Sequence, residues 1–206
     1  MVLSFKKRSD MYSQNDEELH IVGALLEHGT FLDIGAYDGK TFSNTLKLVE
    51  KGWRGFCVEP SPSIFSRLFE LHKNNPNVQC VLAAITHERE GKIANFYDSN
   101  GDAIGTLNTS HVAKWSGFVK FNPFILWTTP LWALLGSLKE DFEFVNIDVE
   151  GTSVDLFREF SLLYKGTRLK CVCVEYDGRV DECMQIATTL GLKHIHTTGE
   201  NLIFVK

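Results

Sequence analysis

Apolar residues cluster in short runs along the chain: TFLDIG at 30–35, RGFCVEP at 54–60, VQCVLAA at 78–84, FEFVNIDVE at 142–150, LKCVCVEY at 169–176, LKHIH at 192–196 and NLIFVK at 201–206. These runs are rich in β-branched and aromatic residues and have the length of strands. The stretches between them space their apolar residues three and four apart. Thr41 to Lys51 carries Phe42, Leu46 and Val49 and ends at Gly52; Ser61 to Asn74 opens on Ser-Pro and carries Ile64, Leu68 and Leu71. Arg179 to Leu190 carries Val180, Met184 and Ala187 ahead of Gly191. That spacing, the early proline and the closing glycines predict crossover helices between parallel strands.

Only TTGE (197–200) separates the last two runs. So short a link holds no crossover helix, so the final strand is expected antiparallel within an otherwise parallel sheet. The pattern as a whole predicts a Rossmann-like α/β fold, a doubly wound sheet of seven strands. One segment breaks the rhythm. Residues 99–136 hold three of the four tryptophans (Trp115, Trp127, Trp132) together with Phe118, Phe121, Phe124, Pro123 and Pro130. This reads as an aromatic-rich insertion before the fourth main strand, a flap over a substrate cleft.

Length and composition add bounds. A chain of 206 residues with 44% hydrophobic and 23% charged residues suits one well-buried domain spanning 1–206. No apolar run approaches the roughly 18 residues of a membrane span, and the opening MVLSFKKRSD lacks an apolar stretch after its charges, so a cytoplasmic protein is expected. The five cysteines (Cys57, Cys80, Cys171, Cys173, Cys183) are odd in number and scattered, which suits reduced, packed thiols. A net charge of −5, with Lys6, Lys7 and Arg8 as a small basic cluster, disfavours a long nucleic-acid partner.

The candidate chemistry sits where strands end. The first strand runs into Asp33-Ile34-Gly35-Ala36-Tyr37-Asp38-Gly39, a glycine turn that opens a helix. A nicotinamide dinucleotide prefers G-x-G-x-x-G, whose amides receive a pyrophosphate; Ala36 and Asp38 depart from that spacing, and Asp38 would repel phosphate. S-adenosylmethionine carries an ammonium and a sulfonium instead, for which carboxylates beside the turn are favourable. Asp33 serves equally well as a cap on the loop backbone. Glu59, ahead of Pro60 at the end of the second strand, stands where such folds offer two acceptor oxygens to two ribose hydroxyls. Ala83, Ala84 and Ile85 are small and apolar where an adenine ring would lie, and serve equally well as an ordinary buried strand.

Asp148 and Glu150 end the fourth strand, and Glu175 and Asp177 end the fifth, gathering carboxylates at one sheet edge. Such a group can deprotonate a hydroxyl, bind a divalent cation (Mg²⁺ or Mn²⁺ on Asp148, Glu175 and Asp177), or hold a sulfonium. Sequence leaves these three open. Asp148 and Glu175 are the first candidates for catalysis, and His111 in the aromatic segment is an alternative base or simply a packed histidine.

Together these motifs resemble the FkbM-type methyltransferases: Tyr12-Ser13-Gln14 upstream, the Asp33–Gly39 turn, Val58-Glu59-Pro60, and Ile147-Asp148-Val149-Glu150-Gly151. The resemblance covers Tyr12 to Asp177. It implies the class I methyltransferase fold, S-adenosylmethionine as donor, and O-methylation of a sugar or of a secondary metabolite. By the same resemblance Gln14 lies near the methionyl end of the cofactor, Gly35 and Asp38 along it, Glu59 on the ribose, and Asp148 with Glu150 near the transferred methyl. The upstream region is short for that family, which suggests one domain of a larger glycan-modifying protein. The leading expectation is a glycan O-methyltransferase, with a deoxyhexose such as rhamnose as acceptor; methylation of a small metabolite or of nucleic acid, and a binding module without catalysis, are the competing readings.

Overall fold

A computed structural model describes residues 11–25 and 27–206; the Lys6, Lys7, Arg8 cluster lies outside the described residues. In chain order the elements are α1 (Glu17–Ala24), β1 (Thr30–Ile34), α2 (Leu46–Glu50), β2 (Arg54–Glu59), α3 (Pro62–His72), β3 (Val78–Leu82), β4 (Ala84–Thr86), β5 (Ile93–Asp98) and α4 (Thr109–Trp115). They continue with β6 (Asn122–Pro130), α5 (Leu131–Leu138), β7 (Phe144–Ile147), α6 (Ser153–Leu163), β8 (Cys171–Glu175), α7 (Val180–Thr189), β9 (Lys193–Thr197) and β10 (Asn201–Val205). The main sheet has the order β3-β2-β1-β7-β8-β10-β9. β10 pairs antiparallel with both β8 and β9, whereas β1, β2, β3, β7 and β8 pair parallel. The antiparallel strand that the short TTGE link demands therefore inserts inside the sheet, leaving β9 at its edge.

The strand sequences are apolar on both faces because both faces are covered. Alternate residues of each strand feed two cores. Leu32, Ile34, Val145, Val172 and Val174 pack with Leu131, Leu134, Phe157 and Phe160 of α5 and α6 on one side. Phe31, Phe144, Cys171 and Cys173 pack with Ile21, Leu48, Trp53 and Leu68 on the other. The period of two puts Asp33 and Asn146 on the second face, beneath the loop that enters α2. All five cysteines are free, four of them buried.

Two elements differ from the sequence pattern. The helix expected over 41–51 is helical only from Leu46, because its first half is occupied otherwise. Phe42 takes a left-handed φ of 59° and bridges to Ser13. Ser43 Oγ accepts from the amides of Thr45 and Leu46, the local side-chain bonding that competes with a helical turn. The structure outside the main sheet also starts earlier than residue 99: β4, β6 and β5 form a separate three-stranded sheet, with Ala84–Thr86 parallel to β6 and Ile93–Asp98 antiparallel to it. α5, at the end of the aromatic segment, is a crossover helix of the main core through Leu131 and Leu134.

The two-sided core sets an expected contrast. Phe157→Ala, at a fully buried position, should cost about 3–5 kcal/mol in urea unfolding. Trp127→Ala, 65% exposed on β6, should stay within about 0.5 kcal/mol of wild type.

Candidate active site

The carboxyl ends of β1, β2 and β7 meet at one point, and Gly35 makes the meeting possible. Its φ is +92°, and a Cβ there would lie 1.6 Å from the Asp148 carbonyl oxygen, inside any van der Waals contact. The amides of Gly35 and Ala36 both donate to the Val58 carbonyl at 3.0 Å, and the Tyr37 amide donates to Glu59 Oε2 at 3.1 Å. The glycine turn thus spends its N–H groups on β2, where a phosphate-binding turn would aim them at a ligand.

A cleft of two lobes opens around this junction. The first lies between Glu59, Pro60, Ala84, Ile85 and Phe96; the second lies between Gln14, Asp33, Ala36, Asn44 and Asn146. Gly35, Tyr37, Asp148 and Glu150 line both and form the waist. Tyr37 and Glu150 hold left-handed φ angles of 51° and 53°, and Asp177 one of 49°. Non-glycine residues adopt that conformation at a cost of order 1 kcal/mol or more each and concentrate at functional sites.

Glu59 is 7% exposed. Its Oε1 accepts from the Ser61 amide at 2.8 Å and its Oε2 from Tyr37. Burial nonetheless raises its pKa to about 7, against the lowering effect of those two amides. Asp33 is buried with both oxygens engaged: Oδ1 by Asn146 Nδ2 at 2.8 Å and Oδ2 by Thr45 Oγ1 at 2.6 Å. Asn44 Nδ2 in turn donates to Asn146 Oδ1 at 3.0 Å, leaving Asn44 Oδ1 buried without a partner. Asp38 caps its own loop, accepting from the amides of Lys40 and Thr41 and from Thr41 Oγ1, and lies against the α3 groove outside both lobes. Sequence reasoning passed over Asn44, Thr45 and Asn146. The legible signal was Asn146, a polar residue within the apolar run FVNI.

At the waist the carboxylates converge. One oxygen each from Asp148, Glu150 and Glu175 lies within 4.8 Å of the others. Burial pushes Asp148 well above the usual carboxylate range, and the charges of Glu150, Asp33 and Asp177 add to it. Burial likewise raises Glu175, helped by Asp148, Glu150 and Asp177. Asp177 is raised by burial and by Glu150, and its Oδ2 is buried without a partner. Glu175 and Asp177 line neither lobe; Glu175 accepts from Ser153 Oγ at 2.7 Å, and Ser153 Oγ accepts from the Val149 amide at 2.9 Å.

His111 reaches this cluster from α4. Asn108 caps that helix, its side chain accepting from the Ser110 amide, and its Nδ2 donates to the Gly151 carbonyl at 2.8 Å. Thr106 Oγ1 donates to the Glu150 carbonyl at 2.6 Å. Those bonds seat His111, 7% exposed, with Nε2 2.9 Å from Glu150 Oε2. The approach is off the line of a hydrogen bond, so Nε2 has charge contact but no directed partner. Of the expected flap aromatics, Trp115, Trp127 and Trp132 line neither lobe.

The raised carboxyl pKa values have a stability consequence. A group whose folded pKa is raised binds its proton more tightly when folded, so its contribution is present at low pH and is lost as pH rises. With Glu59 raised to about 7, the ligand-free protein should melt higher at about pH 5 than at about pH 7, and Glu175→Gln, which removes another group raised by burial, should flatten the difference. A melting temperature that climbs with pH across that window would contradict the carboxylate clustering.

Comparison with known proteins agrees with this architecture. Residues 33–181 match the family model described as the methyltransferase FkbM domain. No curated protein sequence matches the chain. Among solved structures, the precorrin-6y C5,15-methyltransferase of Geobacter metallireducens GS-15 superposes with a TM-score of 0.52 at 12% identity, covering 98% of this chain and 92% of that one. The fibrillarin pre-rRNA processing protein of Methanococcus jannaschii gives 0.46 at 13% identity, covering 99% and 85%. At such identities the likeness concerns the fold, that of the class I methyltransferases, with its parallel sheet and one antiparallel strand. The family model spans most of the chain, including the strand ends Val58-Glu59-Pro60 and Ile147–Gly151, so this protein belongs to the FkbM methyltransferases and is an S-adenosylmethionine-dependent enzyme.

Proposed function

We propose that the protein O-methylates a sugar hydroxyl of a glycan or glycoconjugate, with His111 as the base. The observation that carries this reading lies behind the waist of the cleft: His111 lines neither lobe, but its buried Nε2, without a directed partner, is 2.9 Å from Glu150, which lines both lobes and clusters with Asp148 and Glu175. A wall of clustered carboxyl groups, which accept hydrogen bonds when ionised and donate one when protonated, suits a neutral, hydroxyl-bearing acceptor. A deoxyhexose such as rhamnose meets that description.

The residues fit the methyl donor. Glu59 offers two oxygens to a ribose diol, and Ala84, Ile85 and Phe96 supply the apolar walls of a planar base in the first lobe. In the second lobe the unpartnered Asn44 Oδ1 suits an ammonium, beside Gln14. When bound, the donor supplies a methyl on a cationic sulfur, which leaves as a neutral thioether as the new carbon–oxygen bond forms. An aliphatic hydroxyl holds its proton far above neutral pH, so the acceptor needs a base; His111 Nε2 takes that proton, and Glu150 stabilises the resulting imidazolium. Asp33, with both oxygens bound internally, positions the Asn146–Asn44 pair.

A divalent cation is a second reading of the same waist, favoured by the spacing of the Asp148, Glu150 and Glu175 oxygens. Mg²⁺ or Mn²⁺ there would acidify the hydroxyl in place of His111. Chelation separates the two: activity that survives EDTA and falls with His111→Ala supports the histidine, and activity abolished by EDTA and restored by Mg²⁺ supports the metal.

Two outcomes are expected. In a screen of oligosaccharides, lipophilic alcohols and RNA, methyl transfer should appear on oligosaccharides, and His111→Ala should lower kcat by about 10²-fold or more with little change in cofactor affinity. Transfer confined to lipophilic alcohols or RNA would overturn the sugar assignment. In calorimetry, S-adenosylhomocysteine should bind more weakly below about pH 7, by up to tenfold per unit, because protonation of Glu59 removes an acceptor oxygen. Glu59→Gln should bind weakly at every pH; a steep pH dependence that persists in this variant would remove Glu59 from that role.

A further inference from the structure

Outside the cleft, a second group of ionisable side chains converges where α1 meets the edge strand β9. Asp16 is the N-cap residue of α1, His20 lies one turn further along the helix, and His196 projects from β9. Asp16 Oδ1 is 2.9 Å from His196 Nε2, and Asp16 Oδ2 is 3.6 Å from His20 Nε2. The two imidazoles are stacked with centroids 3.7 Å apart and planes 17° from parallel. One carboxylate oxygen and the two ring nitrogens all fall within 4.8 Å of one another.

A hydrogen bond accounts for the first contact and leaves the second unexplained, since 3.6 Å exceeds a directed bond. Two imidazole nitrogens turned toward one carboxylate are, however, the donor set of a transition-metal site. In a tetrahedral zinc site, metal–ligand bonds of about 2.0–2.2 Å put neighbouring donor atoms about 3.3–3.5 Å apart. The 2.9 and 3.6 Å contacts are to the two oxygens of Asp16, and with one oxygen and both ring nitrogens within 4.8 Å of one another, side-chain rotations that fan the stacked rings complete the site. The spacing of Asp16 and His20 by four residues places both on one helix face. The third donor comes from a distant part of the chain.

The surroundings suit a cation. Neighbouring polar groups are already paired: Asn15 Nδ2 donates to Glu17 and Glu200, and Thr198 Oγ1 donates to Glu17. The three side chains are 28–47% exposed, which leaves an ion open to water.

We propose that Asp16, His20 and His196 bind one borderline divalent transition metal of the Zn²⁺ class, with water in the remaining position. Imidazole donors select Zn²⁺, Co²⁺ or Ni²⁺ over Mg²⁺ and Ca²⁺. The metal ties the first turn of α1 to the β9–β10 hairpin, two elements whose sequence positions lie at opposite ends of the chain. This site is separate from the carboxylate cluster and does not depend on the donor or the acceptor.

The test uses tag-free full-length protein stripped of metal and titrated with Zn²⁺ by calorimetry, with Co²⁺ as an optical probe. Wild type should bind one Zn²⁺ at this site, melt higher in its presence, and show a visible Co²⁺ band of low coordination number. His20→Ala and His196→Ala should each weaken Zn²⁺ by at least about tenfold, the cost of losing even an outer-shell partner. Glu175→Gln should leave that affinity unchanged, and excess Mg²⁺ should not compete. Absence of Zn²⁺ binding by wild type would overturn the proposal. So would binding that survives the His20→Ala/His196→Ala double variant and disappears in Glu175→Gln, since the ion would then belong to the carboxylate cluster.

Discussion

The contact on which the structure depends is the one with no room for a side chain, between Gly35 and the Asp148 carbonyl. β1 and β7 are neighbours in the sheet, and their carboxyl ends stay in contact past the last paired residues. Gly35 turns away at a positive φ, and its amide and that of Ala36 fasten to the Val58 carbonyl of β2. The Asp148 amide donates back to the Ile34 carbonyl at 2.9 Å. Three strand ends are thereby fixed to one another before any side chain takes part. Glu59, Asp33 and Asp148 inherit their positions from that backbone knot.

The side chains set on this knot carry stored electrostatic cost. Burial raises the pKa of Asp148, Glu175 and Asp177 at two strand ends, and the neighbouring charge of Glu150 adds to each. Asp177 and Glu150 adopt backbone conformations that their side chains disfavour. Nothing in the packing of the core requires this arrangement, since the apolar clusters lie to either side of the sheet. A positive charge placed at the waist would relieve that repulsion.

Much of the fold was legible in the chain. Strands, two of the crossover helices and the antiparallel strand followed from apolar spacing and from the four-residue link, because burial on both faces of a sheet leaves a strong pattern. Legibility failed where polar side chains bond to backbone. The loop 41–45 has helical apolar spacing, yet Ser43, Asn44 and Thr45 draw it out of the helix to reach Asp33 and Asn146. The strand character of Ile93–Asp98 escaped notice, its partner being supplied by a segment more than twenty residues away. At the site, the strand-end carboxylates were readable from position alone, because topology fixes where strands end. The contact of His111 with Glu150 was not, since it depends on how an inserted helix is seated.

That seating rests on two side chains, Thr106 and Asn108, that hold main-chain carbonyls of Glu150 and Gly151. A carbonyl is present whatever the residue type, so the anchorage makes no demand on the identity of the strand-end side chains. The inserted segment can therefore be exchanged for another of similar reach that keeps hydrogen-bond donors at these two places, whatever side chains the strand end carries. Divergence in what is methylated and constancy in what supplies the methyl become separable, and the separation is written into which atoms the latch uses.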